Sequence, residues 1–117
     1  MQDLFRHLRI HTRKKEMRDE RHHDYMLRRL KEEEEKINEL FIITAEECSE
    51  VSKECMKALR FGNTIERRSI LKEELGDLQC MINLMIDYNI CTKEEIDNQV
   101  IEKKKKLKDW SSLLNDD

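Results

Sequence analysis

Residues 37–61, INELFIITAEECSEVSKECMKALRF, and residues 64–88, TIERRSILKEELGDLQCMINLMIDY, both return apolar side chains every three or four positions. That period belongs to amphipathic helices rather than strands. Between them stands Phe61-Gly62-Asn63, where Gly62 suits the left-handed position that ends a helix. Downstream, Asn89 can terminate the second helix, and Thr92-Lys93-Glu94-Glu95 has capping-box spacing, which predicts a third helix through Trp110. Upstream, the apolar period reaches back to Tyr25, so the first helix is expected from there to Leu59. Residues 9–24, RIHTRKKEMRDERHHD, hold only two apolar side chains and read as a linker, a solvated helix or an oligomer contact. The chain thus divides into a polar, basic N-terminal helix or extension over 1–31 and a helical domain over 32–117.

Composition agrees. Of 117 residues, 42% are charged and 5% aromatic, with two Gly and no Pro, so the punctuation that sandwiches, barrels and Rossmann-type folds require is missing. An all-α, antiparallel helical bundle is the expected fold. A core this small is marginal alone, and completion by oligomerisation, as a homodimer or homotetramer, is expected. No stretch reaches the ~18 apolar residues of a membrane span, and the basic N-terminus lacks a secretory signal's apolar core, which favours a soluble, cytoplasmic protein without a membrane partner. Cys48, Cys55, Cys80 and Cys91 have no C-x-x-C spacing and are expected as buried free thiols. Net charge is −3. Residues 6–31 carry ten Lys/Arg against four Asp/Glu, and residues 32–50 carry eight acids against one Lys, so a nucleic-acid partner is not expected.

The acids of the two central helices carry the chemical signal. At about 100° per residue, Leu40, Ile43, Val51 and Ala58 fall within about 40° of Glu47, and Ile70, Leu78, Met81 and Met85 fall within about 40° of Glu74. Glu50 and Asp77 each lie about 60° to the same side of those reference acids. Both helices therefore embed an i, i+3 acidic pair in the stripe that should face the core. Burying each carboxylate would cost several kcal/mol, and two of them about 4 Å apart repel by roughly 4 kcal/mol at an effective dielectric of 20. No Lys or Arg falls at the centre of either stripe, and Lys57 comes nearest. A divalent cation on Glu47, Glu50, Glu74 and Asp77 is the natural remedy, and all-carboxylate ligation points to a hard ion, Mg²⁺ or Mn²⁺. Glu54, also inside the arc, is an additional ligand or an outer partner.

Glu46-Glu47-Cys48-Ser49-Glu50, followed after 23 residues by Glu74-Leu75-Gly76-Asp77, resembles the EExxE…ExxD signature of the MazG-like, all-α nucleoside triphosphate pyrophosphohydrolases. The likeness covers roughly residues 37–110 and makes 32–117 a MazG-like domain. It implies that Glu47, Glu50, Glu74 and Asp77 hold catalytic Mg²⁺, with Glu46 as a helper, and that a nucleoside triphosphate is cleaved to monophosphate and pyrophosphate by water attack at the α-phosphorus. The leaving pyrophosphate would need cations, and Lys53, Lys57 and Arg60 are the nearby supply. Nothing names a base-contacting residue; Phe61 and Trp110 are expected to pack in a core or interface.

Other readings stand beside this one. The chain could be a non-catalytic helical module that binds nucleotide or a partner, or a relative in the same superfamily acting on phosphoribosyl-ATP or dUTP. His7 with His11, and Glu20 with His23, have metal-ligand spacing, but a di-iron bundle needs the Glu-x-x-His element twice and it occurs once. Retention of acids at all four ligand positions favours the enzyme.

Overall fold

In a computed structural model the chain forms three α-helices, α1 (Gln2–Phe61), α2 (Ile65–Asp87) and α3 (Lys93–Trp110). The structure describes residues 2–114, with side chains from 13 to 114; the His7/His11 pair lies outside the described side chains. No strand occurs among the described residues. The chain divides into two compact units, Met1–Glu39 and Leu40–Asp117.

In the first unit α1 starts well before Tyr25, where the apolar period predicted it would. Residues 13–39 are helical and exposed apart from half-buried Ile37. The absence of Gly and Pro from the first 61 residues explains the continuity, since straight-chain charged residues propagate a helix without needing a buried face. The described part of 9–24 is thus helix rather than linker, with its side chains exposed in the single chain. Arg28 and Arg29 lie over the Tyr25 ring, each 5.9 Å from its centroid.

In the second unit the turns follow the sequence closely. Gly62 has φ 104° and its N–H donates to the Ala58 carbonyl at 3.0 Å, ending α1. Thr64 caps α2, accepting from the Arg67 N–H at 3.3 Å. At the far end Asn89 takes φ 60°, with Ile90 N–H donating to Met85 and Asn89 N–H to Ile86, the paired bonds of a Schellman close. Asn tolerates that left-handed position better than any other non-Gly residue, which is why it stands there. Thr92 and Glu95 form the reciprocal box: Thr92 N–H donates to Glu95 Oε1 at 2.9 Å and Glu95 N–H to Thr92 Oγ1 at 3.1 Å. Thr92→Ala is expected to cost about 1 kcal/mol, read as a lower urea midpoint with unchanged slope. No change would mean that α3 is held by something other than its cap.

Packing is thin. Among the described residues Leu40 and Met81, 4% and 7% exposed, are the buried apolar side chains, and Glu54 is buried as well at 6%. Ile43, Val51 and Ala58 on α1 and Leu78, Ile82 and Met85 on α2 are half-buried, as the stripes predicted, but Cys55 and Ile70 on the same arcs are exposed. Leu59, Ile65, Trp110 and Leu113 are 69–82% exposed. The cysteines depart from expectation: Cys48, Cys55 and Cys80 are exposed free thiols and Cys91 is half-buried. The physical reason is the same throughout. An angular position says which face a side chain occupies, while covering that face takes more helix surface than α2 and α3 supply.

Candidate metal centre

Glu47 precedes the Gly62 turn and Glu74 and Asp77 follow it, so a helix pair that doubles back can bring them together. It does. One carboxylate oxygen from each of Glu47, Glu74 and Asp77 lies within 4.8 Å of the other two. The segments around them therefore run antiparallel, and the i, i+3 spacing of Glu74 and Asp77 turns both toward Glu47. Glu47 and Glu74 are half-buried and Asp77 is exposed, so the site opens to water.

The remaining candidates take other places. Glu50 is half-buried but outside the trio; its Oε2 accepts Lys53 Nζ at 2.9 Å. Glu54 is buried and pairs with Lys57 Nζ at 3.6 Å. Glu46 is exposed. Glu20, His22 and His23 are exposed, and among the described residues no histidine joins a metal-competent cluster. Lys53, Lys57 and Arg60 share one open groove of about 570 Å³ with Met56, Leu59 and Phe61. The Phe61 ring carries Arg60 at 5.3 Å and Arg67 at 4.9 Å from its centroid, and Trp110 carries Lys103 at 5.4 Å. Neither aromatic packs into a core: Phe61 is 59% and Trp110 69% exposed.

Two features relieve the repulsion more than the helical angles indicated. The acids keep contact with water, and a cation is already among them. Lys53 serves Glu50 and Lys57 serves Glu54, because a lysine stem spans far enough for its ammonium to reach a carboxylate one turn back. The sequence signal is the repeated Glu-x-x-Lys spacing, Glu50 to Lys53 and Glu54 to Lys57.

The electrostatics of the trio still show strain. The Glu74 carboxyl is pushed above its ordinary 4.5, first by partial loss of water and then by the charges of Glu50, Asp77, Glu47 and Glu54. Lys53 is raised above 10.5, chiefly by its hydrogen bond to Glu50 and that residue's charge, with Glu54 and Glu74 adding. The signs differ in consequence. Lys53 contributes stability that is fully present below 10.5 and is lost as pH rises through its raised folded value. Glu74 binds its proton more tightly folded than unfolded, so the metal-free fold gains from this group as pH falls from the raised value toward 4.5. A cation on Glu74 must displace that proton. Mn²⁺ affinity is accordingly expected to fall on acidification at higher pH than an unshifted carboxyl of 4.5 would give, measured by calorimetric titration across pH. A fall that follows the titration of an unshifted carboxyl would contradict the raised group.

Three carboxylate oxygens from two helices, open to water on one side, could hold a metal ion. No family model, curated protein or solved structure matches the chain.

Proposed function

We propose that the chain is a Mg²⁺-dependent nucleoside triphosphate pyrophosphohydrolase, releasing monophosphate and pyrophosphate. The observation that carries the reading is the convergence of Glu47, Glu74 and Asp77 within 4.8 Å across the α1–α2 turn, at the positions where the sequence resembles the EExxE…ExxD signature. Mg²⁺ bound there would offset triphosphate charge and lower the pKa of a coordinated water. Glu47, Glu74 and Asp77 would hold the ion. Glu50, half-buried beside them, would join as a further ligand, and Glu46 would assist from outside. The groove cations Lys57 and Arg60, with Lys53, supply positive charge for the departing pyrophosphate, Arg60 as a fork for its oxygens.

The same reading includes self-association. Within Leu40–Asp117, Phe41, Ile42, Met56, Leu59, Phe61 and Ile65 are 47–82% exposed, apolar surface that a second copy would cover. Light scattering after size exclusion is expected to give a dimer or tetramer, and a 14.3 kDa particle at micromolar concentration would contradict this.

The functional test is a panel of ribo- and deoxynucleoside triphosphates with Mg²⁺, products resolved by ion exchange. Monophosphate and pyrophosphate are expected in equal amounts, and neither with EDTA. Diphosphate with orthophosphate would place attack at the γ-phosphorus and overturn the assignment; no turnover of any nucleotide would leave binding without catalysis.

A further inference from the structure

Residues 13–31 mix eight Lys/Arg with four Asp/Glu, and along the sequence the two signs interleave. The helix separates them. With Tyr25 as reference and about 100° per residue, Lys14, Arg18, Arg21, Arg28 and Arg29 all fall within about 60° of it, whereas Glu16, Asp19, Glu20 and Asp24 fall about 100° or more away. All of 13–31 is helical and exposed, so the five cations form one solvated ridge. The ridge runs for about 22 Å at 1.5 Å per residue and stops at Glu32, which stands on the same face. Near its end Arg28 and Arg29 share the Tyr25 ring, and no ion pair among the described residues involves any of the five cations. The ridge shares no residue with the acidic cluster.

We propose that this ridge docks on the phosphate backbone of a nucleic-acid duplex, without reading its bases. A duplex carries about one negative charge per 1.7 Å of axis, and its major groove, about 12 Å wide, admits an α-helix. Arg fills four of the five positions, and its planar fork matches phosphate oxygens. Contacts of this kind position a protein on a duplex and carry no sequence information. An anionic bilayer fits less well. The exposed Met26, Leu27 and Leu30 lie about 100° to 160° from Tyr25, on the side of the four acids, so sinking them would press carboxylates into like-charged headgroups. A second copy also fits less well, because Glu32, Glu33, Glu34 and Glu35 are consecutive and circle their helix at about 100° steps instead of presenting one acidic face.

The test is fluorescence anisotropy of a labelled DNA duplex of mixed sequence, titrated with the full chain at about 50 mM salt and upward. Binding is expected in the micromolar range, with log affinity falling against log salt at a slope of about −4. Arg18→Gln with Arg21→Gln is expected to weaken binding about a hundredfold at the lowest salt and to make the slope shallower by about 2. Arg13→Gln with Lys31→Gln removes the same charge from the acid side, about 120° from Tyr25, and is expected to stay within about threefold of wild type. Gln sustains a helix nearly as well as Arg, so circular dichroism should be unchanged in both variants. Equal losses in the two would mean that net charge alone attracts the duplex, and would overturn the ridge. No binding by wild type at about 100 µM, or tighter binding to phosphatidylserine vesicles than to duplex, would overturn it as well. So would an Arg18→Gln, Arg21→Gln chain that keeps duplex affinity but loses oligomeric mass, since the ridge would then meet a second copy.

Discussion

Glu74→Gln is expected to lower kcat/KM by about a thousandfold or more, with helicity and oligomeric mass unchanged. Glu74 shares the closest cluster with both Glu47 and Asp77, and its carboxyl bears the charge of four neighbouring acids. The amide keeps the shape and removes the negative charge that a divalent ion needs. It also removes repulsion, so the metal-free variant should melt no lower than wild type. That pairing of lost turnover with unimpaired stability separates a binding role from a structural one. Activity within tenfold of wild type, or a large drop in melting temperature, would count against the assignment.

Leu40→Ala is expected to destabilise by about 2–4 kcal/mol, which for a unit of this size lowers the melting temperature by roughly 10–25 °C. Leu40 is 4% exposed, and among the described residues of its unit Met81 is the other buried apolar side chain. With so few interior contacts, the cavity left by one leucine is a large fraction of total stability. Leu59→Ala provides the contrast. Leu59 is 79% exposed in the single chain, so an effect approaching that of Leu40→Ala would mean that a second copy covers it. A Leu40→Ala cost below about 0.5 kcal/mol would show the α1–α2 contact to be dispensable.

Much of this architecture was legible from residue chemistry. Gly62, Asn89 and the Thr92–Glu95 pair are local signals, complete within five residues, and each does in the structure what its type dictates. The convergence of Glu47 with Glu74 and Asp77 followed from helical angles and one tight turn. What periodicity could not carry was cover and reach. Cys55 and Ile70 lie on the correct arcs and are exposed, because an arc specifies direction and not what packs against it. Lys53 lies off the stripe by angle, yet its long stem brings a positive charge to Glu50, so the cluster is less starved of cations than backbone positions suggested. The polar segment ahead of Tyr25 is helical for want of any residue to stop it, a consequence of composition that an apolar period cannot register.

The most direct measurement is an anomalous difference map from crystals soaked in millimolar Mn²⁺. A peak about 2.1 Å from an oxygen of each of Glu47, Glu74 and Asp77 is the expected result. A map in which the three carboxylates point apart into solvent and no peak lies among them would contradict the account.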